Sequence, residues 1–591
     1  MTTTSFFQQY EKVAEFERYL GDPLDSARQL SFQRAVEEDE QEVYPEAACA
    51  EVENWGLHQY YVPEQYGGRF RSFEELFGLL RLLARRDVTV VVAHAKTFLG
   101  AIGIWLNGSE SQKARLAQLI RRRGQVSLAL TEKEHGGDLL ANEVTATKVD
   151  GGYLLQGEKW LINNATRSAA LALFARTDPA GGPRGFSLFF IEKRLLDPSS
   201  FIHLPKIKTL GVRGADISGI RFDHCLIPDS ALVGTPGAAL ETSLKGFQAT
   251  RTLVPAISLG AADTALRSAM RFALSRRLYG ASVFEIPEAR RVLVEAFIDI
   301  LICDCVAISA ARSLHVAADR MSLWSAGAKY FVPVRVERLI AELSAVMGAR
   351  HFLRQDHDCG VFQKIRRDNS LAGLFDGSTV VNLNGIAQQL QQIWQIGRKN
   401  GRQEEAQMID CLKRIFGLSA SLPDFDSARL ELINRGRDDM TQSLALLPAL
   451  AEKELPSIDP RTRSDLGGLL SELRQEFLEQ QQALMNLRRH SGSVFNQPVQ
   501  LFELARRHCV LHAAAACWWM WLFNRESLGD FFARGEWLVL GLNRLLADLQ
   551  PWRWAFFNRH ERNVSEYLLE LQKDGRLFSI LPLNLADREE D

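Results

Sequence analysis

A chain of 591 residues is too long for one hydrophobic core and divides into several domains. Its 70 Lys and Arg against 72 Asp and Glu leave a net charge of -2, which offers no field for a polyanion and argues against a nucleic-acid partner. The cysteines at 49, 225, 303, 305, 359, 411, 509 and 517 fall at no zinc-site spacing; they read as reduced thiols in a cytoplasmic protein, with no metal expected.

In chain order, the first residues turn acidic early and hold no apolar signal core, and no run along the chain reaches the roughly 20 apolar residues of a membrane span. Residues 1–125 are expected to form a helical domain, with Phe73, Leu76, Phe77, Leu80 and Leu83 at helical spacing. Pro63 and the Gly67-Gly68 pair break the helices, and Asn107-Gly108-Ser109-Glu110 punctuates again. The apolar runs at 88–93 and 98–104 read as core, with a wall of a substrate pocket as the alternative. Residues 126–236 are expected to form a β-domain. Val144, Ala146 and Lys148 alternate, Asp150-Gly151-Gly152 turns the chain, and Tyr153-Leu154-Leu155 runs on to Gly157, which together predict a β-meander. Further strands are expected at 171–176 and 186–191. Residues 237–396 return to long helices. Beyond the basic linker Gly397-Arg398-Lys399-Asn400-Gly401, residues up to 591 form a further helical domain, with Leu466, Leu469, Leu470, Leu473 and Phe477 on one face. Aromatic residues gather at 517–523 and 551–557, where they build a core or subunit interface or lie at a membrane surface as a peripheral contact.

The stretch from Ala129 to Asn164 resembles the middle domain of acyl-CoA dehydrogenases, with its A-x-T-E-P-x-A-G-S-D and G-E-K-x-W-I-T-N blocks. Ala129, Thr131, Glu132, Gly136, Asp138, Gly157, Glu158, Lys159, Ile162 and Asn164 match, while Lys133, His135, Gly137, Leu161 and Asn163 depart. The tryptophan of that pattern is either supplied one place earlier by Trp160 or missing. Other blocks follow in the family's order: Val62-Pro63-Glu64-Gln65-Tyr66-Gly67-Gly68, Leu210-Gly211-Val212-Arg213-Gly214-Ala215-Asp216, Arg276-Arg277-Leu278-Tyr279-Gly280 and Arg367-Asp368. The resemblance covers about residues 40–390 and implies a mainly α fold: a helical bundle, an inserted β-domain and a second helical bundle, here with an extra C-terminal helical domain.

The resemblance implies FAD as cofactor, bound by Leu130, Thr131, Gly136, Gly137, Ile162, Asn163, Arg276, Tyr279, Gly348 and Ser378. Arg276 would reach the pyrophosphate bound to a neighbouring subunit, which requires a homodimer or homotetramer. Two blocks depart from the pattern. Ile286-Pro287 replaces a Phe-Gln pair, and a Q-x-x-G-G-x-G loop keeps only Gly348, with Arg350 as an alternative phosphate partner. Phe247, Arg251, Phe375 and Gly377 are implied to contact substrate, and Asp376 stands where most members carry a catalytic Glu. Thr250, at the alternative position for the base, has no carboxylate, so Asp376 is the candidate base; its other role is to cap a turn before Gly377. The implied function is α,β-dehydrogenation of an acyl thioester carried on CoA or on an acyl carrier protein, with an electron-transfer flavoprotein as possible acceptor. Two alternatives stand beside it: a flavin oxidase of a small carbon acid, and a non-catalytic binding or assembly subunit.

Overall fold

The computed structural model describes residues 10–396, 402–455, 458–488, 498–553 and 558–586. They form two compact units, one of residues 23–71 and 86–250, the other of the described residues within 1–22, 72–85 and 251–591. The helix Ala239–Ser275 begins in the first and ends in the second.

The first unit carries four helices ahead of its sheet: Phe32–Gln41, Glu46–Trp55, Val88–Asn107 and Glu110–Arg121. Their ends follow from capping chemistry. Ser31 and Asp87 accept from the N–H groups of Arg34 and Thr89, and Gly56 closes the second helix at φ 101°. The Asn107–Glu110 punctuation is a capping box, in which Ser109 Oγ accepts from Gln112 N at 3.2 Å and Gln112 Oε1 accepts from Ser109 N at 2.9 Å. The helix Val88–Asn107 corrects one expectation. Its 20 residues are long and apolar enough to cross a membrane, because the two apolar runs read separately from the sequence join into one helix. Of its most apolar window, 78% is buried in the protein. Gly100 lies against the strand that begins at Val126, where an added Cβ would sit 2.4 Å from the Val126 carbonyl oxygen.

The sheet has eight strands: β1 (Val126–Ala129), β2 (Thr145–Val149), β3 (Gly152–Asn163), β4 (Ala170–Arg176), β5 (Phe186–Glu192), β6 (Phe201–Leu204), β7 (Ile217–Pro228) and β8 (Leu232–Val233). The order is β6-β7-β3-β2-β4-β5-β8, with β1 beside β4. The expected meander is realised only as the β2–β3 hairpin, turned at Asp150-Gly151. β1 pairs in parallel with β4, Val126 opposite Ala170, and a parallel pair requires a long crossover rather than a tight turn. Residues 130–144 run outside the strands between β1 and β2, with one short helical turn at Leu139–Ala141. Ala129, Val144, Ala146, Leu155, Leu171, Leu173, Phe189, Ile220 and Phe222 form the buried core that fixes the strand registers.

The second unit is helical. In Phe73–Arg86 the five residues at helical spacing are all buried, none above 4% exposed. Pro287–Val316 and Met321–Met347 pack on each other, and Thr379–Ile396 packs on the latter. After residue 402 come Arg402–Phe416, Pro460–Arg488, Val499–Asn524, Glu536–Leu549 and Asn558–Lys573, with no strand among the described residues. This agrees with a mainly α fold carrying one inserted sheet and additional C-terminal helices. Trp518, Trp519 and Trp521 are buried to within 1%, so the first aromatic cluster is core rather than membrane surface. Of the second, Trp552 is 81% exposed, and residues 554–557 lie outside the described residues, as does the linker 397–401. The C-terminal segment then returns to the long helices. Arg267 donates to the Arg576 carbonyl, Phe578 N donates to Asp263, and Ile580 N donates to Asp304, which Arg81 also holds at 2.7 Å.

Candidate active site

In the sheet-bearing unit, the expected cofactor residues lie on the β1–β2 loop and at the end of β3. Lys159 sits wholly buried beneath the loop. Its Nζ donates to the Leu130 carbonyl at 2.9 Å, to Glu132 Oε1 at 2.7 Å and to Asn142 Oδ1 at 2.6 Å. Glu132 also accepts the N–H groups of Glu143 and Val144 at 2.6 and 3.0 Å. Burial pulls the Lys159 ammonium down to about 8 against the opposing pull of Glu132. Burial works to raise the Glu132 carboxyl, but Lys159 and the two backbone donors outweigh it and hold it below its ordinary value. The Thr131 carbonyl takes the Trp160 N–H at 2.9 Å. Gly136 and Gly137 are exposed at the crest of the loop, and a Cβ built on Gly136 would meet nothing within 4 Å.

At the end of β3 a register shift falls between Trp160 and Ile162. Leu161, in the position of the family tryptophan, takes the left-handed conformation at φ 56° and is 40% exposed. Ile162 is buried, and Asn163 Nδ2 donates to the Val92 carbonyl at 3.0 Å. Asn163 Oδ1 is buried and has no hydrogen-bond donor among the described residues; neither has Ser218 Oγ, on the residue paired with Ile162. Phe247, 7% exposed, belongs to this unit.

The other expected site residues lie in the helical unit. The turn Phe375-Asp376-Gly377-Ser378 precedes the helix Thr379–Ile396. Asp376 is left-handed at φ 54°, and Gly377 follows at φ 93°. Three side chains from three helices hold this backbone. Arg251 Nε donates to the Asp376 carbonyl at 2.9 Å, Lys329 Nζ to the Ala372 and Gly377 carbonyls at 2.6 and 3.3 Å, and Asn382 Nδ2 to the Gly377 carbonyl at 2.8 Å. Lys329 also lies 5.5 Å from the centre of the Phe375 ring. Burial brings the Arg251 guanidinium down to about 10, with Asp376 opposing. Ser378 Oγ accepts from Val381 N at 3.4 Å, so the cap of the following helix falls to Ser378.

Arg276 lies beside a small hairpin, β9 (Arg277–Leu278) and β10 (Ala281–Ser282), which turns through Tyr279 and Gly280, both at positive φ. Arg276 is exposed, and Tyr279 is fully so. Gly348 ends the helix Met321–Met347 at φ 54°. Arg350, the alternative phosphate partner read from the sequence, is ion-paired with Asp356. Sequence reasoning missed Lys329 and Asn142. Lys329 was discoverable in principle: it is the lone charge in the run Met321–Pro333, and a charge buried there must find partners.

Comparison with known proteins finds three matching domain models in order along the chain. The N-terminal, middle and C-terminal domain models, described as those of acyl-CoA dehydrogenase, match residues 26–122, 127–225 and 240–391. The chain is 27% identical over 349 residues to the probable acyl-CoA dehydrogenase FadE25 of Mycobacterium tuberculosis, covering 59% of this chain and 88% of that protein. It is 28% identical over 233 residues to the mitochondrial isovaleryl-CoA dehydrogenase of Arabidopsis thaliana, covering 39% and 56%. Among solved structures, butyryl-CoA dehydrogenase from Megasphaera elsdenii superposes with a TM-score of 0.59 at 22% identity, over 64% of this chain and 98% of that one. The prolyl acyl carrier protein oxidase AnaB does so with 0.59 at 22%, over 65% and 98%. These two structures share the fold.

Proposed function

The chain belongs to the acyl-CoA dehydrogenase family of oxidoreductases, and from that premise we propose that it removes the α-proton and β-hydride of an acyl thioester, with FAD as its cofactor. The residues present fit that group. Asn163 Oδ1 is a buried acceptor with no donor among the described residues, and the loop crest at Gly136 is exposed with no atom within 4 Å of an added Cβ. Leu130, Thr131, Gly136, Gly137, Ile162 and Asn163 would hold the flavin part, with Arg276 and Tyr279 of the exposed hairpin reaching the pyrophosphate bound to a second copy of the chain. When bound, FAD supplies the hydride acceptor.

The rest of the chemistry belongs to this chain. Asp376 takes the α-proton of the thioester on its carboxylate, leaving an enolate whose electrons drive out the β-hydride and form the double bond. The observation that carries the reading is the turn bearing Asp376. Arg251, Lys329 and Asn382 fix its backbone from three helices, which supports a turn already ordered when substrate arrives. Phe247, Phe375, Gly377 and Arg251 are the proposed substrate contacts. The acyl group is carried on CoA or on an acyl carrier protein, and the AnaB likeness makes the second carrier a specific arm of the test. An electron-transfer flavoprotein is the proposed acceptor.

The test begins with the flavin content of the purified chain. Anaerobic addition of an acyl-CoA and acyl-carrier-protein panel should then bleach the flavin band. Absence of any flavin, or bleaching by nitroalkanes but by no thioester, contradicts the proposal.

A further inference from the structure

We infer that Lys159 and Glu132 form a buried clamp that holds the β1–β2 loop in its cofactor-binding shape, making Lys159 a positioning residue for FAD; this rests on the FAD reading above. Lys159 lies in β3, outside the loop, and reaches both of its feet. At the first foot it binds the Leu130 carbonyl and Glu132; at the second it binds Asn142 Oδ1. Glu132 closes the span by accepting from Glu143 and Val144, twelve residues or fewer along the chain. Arg176, on β4, adds bonds to the Leu140 and Asn142 carbonyls at the second foot. Between the feet the crest from Lys133 to Leu140 stays exposed or half-exposed. The loop is therefore fixed where it joins the sheet and open where a ligand would lie.

The physical argument is one of preorganisation. A loop of this length otherwise samples many conformations, and a ligand would bear the cost of ordering it. Buried polar groups that satisfy one another select one arrangement, because every alternative leaves a charge without a partner in a low-dielectric surrounding. Lys159 has all three of its N–H donors committed, which explains how a wholly buried ammonium is tolerated. Glu132 is nearly as buried, at 7% side-chain exposure. Its two oxygens accept from Lys159 and from the two backbone N–H groups, so removing the lysine strands an anion rather than merely deleting a contact.

The experiment compares the full-length chain with Lys159→Met, Glu132→Gln/Lys159→Met and Asn142→Ala. Two quantities are read: the FAD dissociation constant by flavin fluorescence, and hydrogen exchange at Glu143 and Val144 in the FAD-free protein. Lys159→Met should weaken FAD binding by about tenfold or more, the worth of a lost charge-assisted hydrogen bond. It should also expose the Glu143 and Val144 amides while leaving exchange in β4 and β5 unchanged. The double variant, which removes the stranded anion but keeps an acceptor, should recover part of the affinity. Asn142→Ala, which leaves the ion pair intact, should give the same pattern in milder form and serves as the reading if Lys159→Met does not fold. Unchanged affinity and unchanged exchange at 143 and 144 in the variant that folds would overturn the clamp, as would a double variant no better than Lys159→Met. If the parent chain binds no FAD, the cofactor reading fails, and the exchange data alone decide whether the clamp exists.

Discussion

At Gly377 an added methyl would lie 2.8 Å from the Arg251 guanidinium, and the backbone already stands at φ 93°. Gly377→Ala therefore costs about 1–2 kcal/mol in left-handed strain and displaces Arg251 from the Asp376 carbonyl. The expected outcome is a lower urea midpoint together with a larger fall in turnover than the stability loss explains. His94 makes a prediction of the opposite kind, about pH. It is buried to 2% exposure and hydrogen-bonded to the Tyr61 hydroxyl at 2.8 Å. Burial, with His58 adding to it, holds the ring down at about 3. The unfolded ring, with an ordinary pKa near ~6.5, binds a proton first as pH falls, so stability is present above that value and is lost progressively below it. Urea midpoints should drop between pH 7 and pH 5, and His94→Gln should make that drop smaller. The proposed site residues were legible in the sequence only as register: Asp376, Arg251 and Asn163 were read from their position in the motifs. Lys329 and Asn382, which hold the turn at Asp376, and Asn142, which meets Lys159, were not: the Lys329 bonds span more than forty residues and leave no local pattern.

At the scale of elements, the C-terminal segment and the exposed hairpin carry separate expectations. Residues 576–580 satisfy buried charges of the long helices: Ser579 Oγ donates to Asp304 at 2.5 Å and accepts from Arg81 at 3.1 Å, while Phe578 N donates to Asp263 at 2.9 Å. Ser579→Ala should cost about 1–3 kcal/mol, the price of leaving buried charged partners short of a bond, as read from the denaturation midpoint. The β9–β10 hairpin makes the opposite case. Arg276 is exposed, so Arg276→Ala should leave the melting temperature unchanged while lowering FAD content. Unchanged FAD content would remove Arg276 from the cofactor. Elements with a strong period were readable in advance, as Phe73–Arg86 and Pro460–Arg488 show. The parallel pairing of β1 with β4 was not, because alternation sets which face a strand buries but not which strand lies beside it. The joining of two apolar runs into Val88–Asn107 was missed for a related reason: the polar residues between them interrupt composition without interrupting the helix.

At the scale of the whole molecule, a single chain supplies a sheet-bearing unit with a hydrogen-bonded loop and a helical unit with a braced turn at Asp376, and the proposed function gives the first to the cofactor and the second to proton transfer. The order of motifs along the chain made the family readable where each motif alone was weak. The helices after residue 402 were readable as helices, yet their packing into the same compact unit as residues 251–396 depends on buried pairs such as Arg544 with Asp299 at 2.7 Å, far apart in sequence. The proposed chemistry stands or falls with Asp376. The most direct test mixes the FAD-loaded chain and its Asp376→Asn variant anaerobically with a thioester substrate and follows flavin bleaching in a single turnover. The account predicts that the variant retains its FAD and its spectrum but bleaches at least about a hundredfold more slowly. Bleaching of Asp376→Asn at the rate of the parent would contradict it.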